Sequence, residues 1–509
     1  MRITVFIWLV VFSSLAFAQS FQPSLGSEFK YNQYKLAADY NKTIAFKRNI
    51  LIHLKKEGNR NQLLVFDESQ NFVKAIKLEL QYENLPIHVY DVANVNGKLK
   101  VFGAYINRTK KINALMAFAL DLETEQLSDP KLLATNEFKR VVSSKSVAVL
   151  GLDTYLSVGG FEIVFSKDSS FMAIIGKPFI KNNKRECFEV NMYDKNLKFL
   201  WKNKVDLQKS AKEDIDVREL SISYKGEVYF SYLQKKRKFK DKYNRDYNAY
   251  HVFINKLNKE KLITEKIEIN NRFINSLIFT TTLSGDILLY VLSGKSKRSD
   301  GDIATLYSFN ERLIQINEEN YKLEQTSRFL RFQELIEWEN GDLTFVSEVI
   351  GYDFTILELD RNGESNEINH GILVHNISKK MNRDWNMMIS KRQVTIAHFQ
   401  FFNGFELIQK DDKIHFLFVD NMDNKAVNSS PCYQSIYYPL SGEFLGPKNG
   451  IALVTIDLQG DGKKKFLGEI SDFDKATYKV IHIEGKEEVY FLKTIFRHQF
   501  ALGKKLVVN

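Results

Sequence analysis

Apolar and polar positions along the chain change places in short bursts, and the same burst recurs: an apolar run, a polar turn, and a second apolar run at once. Each recurrence predicts a hairpin, because a tight turn needs positive φ at a central residue and Gly, Asn and Asp tolerate it best. The clearest are Leu220 to Tyr232 around Tyr224-Lys225-Gly226-Glu227, Leu277 to Val291 around Ser284-Gly285-Asp286, and Leu335 to Val346 around Glu339-Asn340-Gly341-Asp342. Their glycines stand 59 and 56 residues apart. Fainter copies fall at Asn96-Gly97-Lys98, Lys167-Asp168-Ser169-Ser170, Lys410-Asp411-Asp412-Lys413, Glu484-Gly485-Lys486 and Lys47-Arg48-Asn49.

A second pair of strands follows each hairpin. It is plainest at Phe188 to Tyr193, the turn Asp194-Lys195-Asn196, and Phe199-Leu200-Trp201. The same second turn is read at Asp67 to Asn71 and at Asp360-Arg361-Asn362-Gly363, the latter after a strand Thr355 to Leu359. Four antiparallel strands per unit, repeated along the chain, is the pattern of a β-propeller blade. A pair of β-sandwiches also strings short strands between turns, but would not repeat one hairpin so regularly. Apolar residues at helical spacing are missing, which argues against a parallel α/β sheet. The expectation is an all-β chain of seven or eight four-stranded blades. The last unit is one strand short, and a segment near Phe29 to Leu36 is expected to complete it and close the ring.

The chain opens on Met1-Arg2-Ile3, an apolar run Thr4 to Phe12, and Ser13-Ser14-Leu15-Ala16-Phe17-Ala18-Gln19. This is the layout of a secretory signal, with cleavage expected after Ala18. The run reaches serines well short of the roughly 20 apolar residues that a span requires. The organisation expected is residues 1–18 as signal peptide and 19–509 as one propeller domain, exported to the periplasm or the exterior, with no transmembrane segment in the mature chain. No cysteine precedes Cys187, so no acylated anchor is expected at the cleavage site. Cys187 and Cys432 fall in the third and seventh units, nearly opposite in such a ring, and two unpaired thiols are predicted because a disulfide needs Cα atoms within about 7 Å.

The hairpins Asn340-Gly341-Asp342-Leu343 and Ser166-Lys167-Asp168-Ser169 resemble those of exported bacterial β-propeller repeat proteins. The resemblance covers most of the chain, and it implies a fold and a tendency to bind partners without naming an activity. The Trp-Asp and Gly-His pairs of WD40 blades and the paired glycines of kelch blades are absent.

Charge adds a direction. In the first five units the connector between second and third strands is basic: Lys55, Lys56 and Arg60; Arg108, Lys110 and Lys111; Lys181, Lys184 and Arg185; Lys235, Lys236, Arg237, Lys238, Lys240, Lys242 and Arg245; and Lys295, Lys297 and Arg298. Against six carboxylates (Glu57, Glu186, Asp241, Asp246, Asp300 and Asp302) these nineteen cations leave a surplus of thirteen, where the whole chain carries +10. In the sixth unit the equivalent loop is read as only Gly351-Tyr352-Asp353. One-sided charge attracts anions, although lysines at hairpin tips also serve solubility alone. In the fourth unit Phe239, Tyr243, Tyr247 and Tyr250 interleave with the cations, a pattern suited to stacking on sugars or bases or to packing across a hairpin.

Catalytic and metal signatures do not stand out. The nine histidines include no i, i+4 pair, and neither G-x-S-x-G nor a phosphate-cradling loop occurs. His53 and His415 are read as buried, hydrogen-bonded residues of second strands. Asp457 and Asp461 are read as a turn, and Asp420, Asn421, Asp423 and Asn424 as a hydrated loop. No cofactor is expected. The leading functional expectation is a non-catalytic binding or scaffold protein using one propeller face, with an anionic polysaccharide, an envelope component or an acidic protein as partner; nucleic acid does not suit an exported chain. The competitor is a propeller hydrolase or lyase acting on glycans, whose carboxylates would converge from separate blades.

Overall fold

In the computed structural model, the residues described are 24–30, 40–54, 61–107, 109–137, 161–176, 185–208, 215–240, 246–269, 273–294, 301–323, 330–353, 366–382, 384–395, 404–422, 424, 436–438, 449–470, 478–482, 488–496 and 499–506. Among them every regular element is a strand. The predicted signal peptide, Cys432 and the turn Glu484-Gly485-Lys486 lie outside the described residues, and Cys187 lies in the strand Arg185–Asp194.

The strands form eight sheets. Blade one spans 40–78, blade two 80–137, blade three 161–208, blade four 215–267, blade five 273–322, blade six 330–395, blade seven 406–421 with 449–470, and blade eight 478–506. Neighbouring blades pack side by side around the whole sequence, and blade eight packs on blade one, so the ring is closed and has eight blades. First strands of neighbouring blades meet at the junctions of blades one and two, three and four, four and five, five and six, and seven and eight. The closing strand is N-terminal, as expected: Ser24–Lys30 pairs antiparallel with Gln499–Leu506 at the outer edge of blade eight. It begins earlier than the sequence pattern indicates.

Each of the eight predicted hairpins joins the first and second strand of one blade. The residue type at the turn follows from backbone geometry. Gly226 sits at φ +71° and Gly285 at +94°, and a Cβ at either would also press on an aromatic ring of the preceding blade, Phe171 or Tyr224. Where glycine is missing, Lys47, Ser169, Asp411 and Asp412 carry the positive φ, and at Asn96-Gly97 both residues do. The turn at Asp457 and Asp461 is also as read, with the Asp457 carboxylate accepting from the Gln459 and Asp461 amides.

Blade six departs from expectation. Its second and third strands, Leu343–Asp353 and Asn366–Ile377, pair along their whole length. Gly351, Tyr352 and Asp353 are therefore strand rather than loop, and the connector is 354–365. Thr355 to Leu359 and Asp360 to Gly363 fall in that connector, outside the described residues, and the second turn of the blade lies instead around Ser378 and Met381.

The core is a set of layers between blades. Every residue of Ile287–Gly294 is buried, and the period of two divides them. Ile287, Leu289 and Val291 pack toward blade four, while Leu288, Tyr290 and Leu292 pack toward blade six. Burial on both faces explains why second strands read as unbroken apolar runs rather than alternating ones. Each such leucine removed from water contributes about 1.5–3 kcal/mol.

A polar stitch recurs on the face that carries the tight turns. The fourth strand of one blade bonds the 3–4 turn of the next: Lys74 to Leu122 O at 2.7 Å, Asn203 to Asn258 O at 3.1 Å, Tyr321 to Met381 O at 2.9 Å, and Trp385 Nε1 to Leu458 O at 2.9 Å. At the ring closure the Ser27 amide donates to Asn71 Oδ1 at 2.9 Å and Ser27 Oγ accepts from the Phe72 amide. These bonds fix blade orientation at one face and leave the opposite ends of the strands to carry longer connectors.

Candidate functional site

Strand direction sorts the connections onto two faces. Turns between first and second and between third and fourth strands share one face, the turn face. Connectors between second and third strands share the other, the loop face. The strands Asn49–Leu54, Lys98–Asn107, Phe171–Gly176, Val228–Lys240 and Ile287–Gly294 all finish at the loop face.

Most of the predicted anion-binding side chains lie outside the described residues: Lys55, Lys56, Arg60, Arg108, Lys181, Lys184, Lys242, Tyr243, Arg245, Lys295, Lys297 and Arg298. Arg185, Lys235, Lys236, Arg237, Lys238, Phe239, Lys240, Tyr247 and Tyr250 are described by backbone alone. In the fourth blade the hairpin register sets Phe239 opposite Tyr247 and Lys235 opposite Tyr250. Lys110 is exposed and pairs with Glu83 at 3.3 Å, and Lys111 holds the turn at φ 56°.

At the turn face the axis is bridged. Lys167 Nζ of blade three meets Glu337 Oε1 of blade six at 3.0 Å, and Glu337 Oε2 accepts the Leu283 amide of blade five at 2.5 Å.

The buried titratable groups gather at two seams. Between blades five and six, His375 is fully buried; its Nδ1 lies 2.7 Å from Tyr290 Oη, and its Nε2 3.2 Å from Asp384 Oδ2. A carboxylate only accepts, so the consistent tautomer has Nε2–H donating to Asp384 and Nδ1 accepting the Tyr290 proton. Burial holds His375 below the ordinary histidine value despite Asp384, and pushes the Tyr290 phenol well up. Tyr290 also stacks on Phe345 with centroids 3.9 Å apart.

Between blades six and seven the polar groups are charged. Lys391 Nζ meets Glu348 Oε1 at 2.6 Å, and Lys464 Nζ meets Asp420 Oδ2 at 2.6 Å, all four side chains almost or wholly out of solvent. The Phe418 ring lies between, 6.0 Å from the Lys391 ammonium and 5.5 Å from that of Lys464. Asp420 Oδ1 accepts from the Asn421 amide and from Asn424 Nδ2, both at 2.9 Å. Burial raises the Asp420 carboxyl above its ordinary range, with Lys464 opposing. The strand Ile436–Tyr438, from the insertion of blade seven, crosses this seam and adds in parallel to Gln393–Thr395 of blade six.

These contacts correct one reading. Asp420, Asn421 and Asn424 are buried, not a hydrated loop, because the strand Lys413–Asn421 takes in the first two and Asn424, just past its end, bonds back to Asp420; Asp423 lies outside the described residues. Lys391 and Lys464 escape sequence reading for a related reason. In the run Lys463-Lys464-Lys465 the three look alike, yet strand alternation must turn the middle one to the opposite face, and that face is the seam. His53 and His415 are buried in second strands as expected, and His415 Nδ1 bonds Thr455 Oγ1 at 2.9 Å. Among the described residues no three His, Cys, Asp or Glu side chains converge as a metal ion would need, and no helix is long and apolar enough to cross a membrane.

No protein-family model and no curated protein matches the chain. Solved structures resemble it in outline. An ulvan lyase of a polysaccharide lyase family is 7% identical, with 90% of this chain and 99% of that one covered and a TM-score of 0.38. The WD40 domain of SCAP from fission yeast is 6% identical over 95% and 96%, at 0.34. The β-propeller domain of the Trilobed protease from Pyrococcus furiosus is 12% identical over 87% and 98%, at 0.29. Scores this low transfer nothing from residue to residue, and the propeller assignment rests on the strand pairing itself.

Proposed function

We propose that the protein is an exported, non-catalytic binding or scaffold propeller whose loop face takes an anionic partner, acidic polysaccharide before an envelope component or acidic protein. The observation that carries the reading is the common end at which five second strands finish, each leading into one of the five basic connectors. Cations gathered at one end of a ring create a field reaching about 8–10 Å into physiological salt. The aromatic residues Phe239, Tyr247 and Tyr250, carried by the paired second and third strands of blade four, favour a sugar, since rings offer apolar faces on which pyranoses lie flat. The buried polar groups at the seams are bonded to one another, which gives them a structural role within this reading.

The test replaces Lys235, Lys236, Arg237 and Lys238 together by Gln and measures the salt at which the protein leaves a sulfated-polysaccharide matrix. Earlier elution with an unchanged melting temperature is expected. Elution at the same salt would remove the anionic-partner reading.

A further inference from the structure

We propose that Lys464 and Asp420 condense into an intramolecular amide, a covalent staple within blade seven. The two reacting groups are in direct contact. The ammonium lies 2.6 Å from Asp420 Oδ2, so the carboxyl carbon is one bond farther. The other oxygen, Oδ1, accepts two N–H groups, from the Asn421 backbone and Asn424 Nδ2, both at 2.9 Å. Paired donors on the oxygen that gains charge are what acyl transfer requires.

The surroundings favour condensation over hydrolysis. Both side chains are fully excluded from solvent, and the Phe418 and Phe466 rings flank the ammonium at 5.5 and 5.7 Å. Passage of one proton from Nζ to Oδ2 across their 2.6 Å contact gives neutral amine and neutral acid, the reactive pair. Burial already raises the Asp420 carboxyl. The Nζ lone pair then adds to Cγ, and the negative charge collects on Oδ1 between its two donors. As the intermediate collapses the Cγ–Oδ2 bond breaks, a second Nζ proton follows Oδ2, and one water departs. Ammonium and carboxylate become amide and water, with no oxidant, reductant or metal required. Holding the two groups in one geometry supplies the advantage of an intramolecular reaction.

The second pair of the seam is an internal contrast. Lys391 and Glu348 are equally close, but among the described residues Glu348 Oε2 meets one side-chain donor, Gln333 Nε2 at 3.2 Å. It lacks the two-donor arrangement and stays an ion pair. The staple would close a covalent ring around the insertion that carries Ile436–Tyr438, the strand reaching over to blade six.

Peptide mapping of the purified, folded protein decides the matter. Trypsin should release a branched peptide in which residues 414–425 are joined through Asp420 to Lys464, lighter by one water than the sum of its parts. Lys464→Arg, which keeps the positive charge, should release the linear 414–425 peptide alone. Recovery of that linear peptide in full amount from the wild-type protein overturns the proposal, and so does a water loss that persists at Asp420 in Lys464→Arg. Neither result bears on the anionic-partner reading, which concerns the connectors of blades one to five.

Discussion

Two adjacent seams of one ring solve the same packing problem in different chemistry. Between blades five and six the polar groups are neutral in effect: a phenol donates to a histidine, which donates to a half-exposed aspartate. Between blades six and seven they include a buried ion pair, Lys391 with Glu348. Both seams are lined with aliphatic and aromatic side chains, so hydrophobic burial does not separate them. What differs is the cost of an error. A relay that loses a member leaves one unsatisfied hydrogen-bonding group, whereas an ion pair that loses a member leaves a bare charge in an apolar layer.

The sharpest test of that difference removes one ion. Glu348→Leu strands the Lys391 ammonium, which is wholly buried, and should destabilise the protein by about 3–5 kcal/mol. Adding Lys391→Met should restore most of the loss, because an apolar pair of similar volume is often neutral or better than a buried ion pair. Denaturant unfolding of the wild type and both variants measures this. A double variant as unstable as the single one would show that the pair contributes more than charge compensation.

The matching lesion in the other seam is Tyr290→Phe. It keeps the ring stacked on Phe345 and removes only the hydroxyl, leaving His375 Nδ1 without its donor. The expected loss is about 1–3 kcal/mol, the desolvation cost of one buried polar atom. A loss as large as that of Glu348→Leu would erase the distinction between the seams.

The fold was legible in the sequence because turns and apolar runs are local signals. Eight turn motifs mark eight blades, and the missing strand of the last unit pointed to closure by the N-terminus. The seams were not legible. Lys391 and Lys464 sit in strands among residues that resemble exposed lysines, and only the neighbouring blade makes them buried. Asp420, Asn421 and Asn424 looked like a loop because polar residues at a strand end usually are one. His375 stands in no motif of the sequence, since Tyr290 and Asp384 reach it from other strands. The basic connectors stand in between: sequence identifies the charge and topology the common end, while most of their side chains lie outside the described residues.

Acid offers a gentler probe of the relay. Burial depresses His375 below 6.5, its ordinary value, so the unfolded chain binds a proton more readily than the native one. That contribution is complete above the ordinary value and is lost as pH falls below it, at no more than about 1.4 kcal/mol per pH unit for a single group. His88 and His415 are depressed by burial too and act in the same direction. Unfolding free energies measured from pH 7 down to about 5 should therefore decline, and His375→Gln should flatten the decline without abolishing it. An unchanged slope would mean that the relay takes its proton without opening the seam.

The smallest effect is expected where ions meet near solvent. The Lys167 side chain is 44% exposed while Glu337 is 12% exposed, and their bridge crosses the axis at the turn face. Lys167→Gln should cost less than about 1 kcal/mol, because water screens the lysine and Glu337 keeps the Leu283 amide as a partner. The loss should shrink further as salt rises, whereas that of Glu348→Leu should not, since salt does not reach a buried charge. Paired unfolding series at low and high salt would compare the two lysines directly. If Lys167→Gln proved as damaging as Glu348→Leu, blade orientation would depend on the axial bridge as much as on the buried seam, and burial would no longer explain why one ion pair outweighs another.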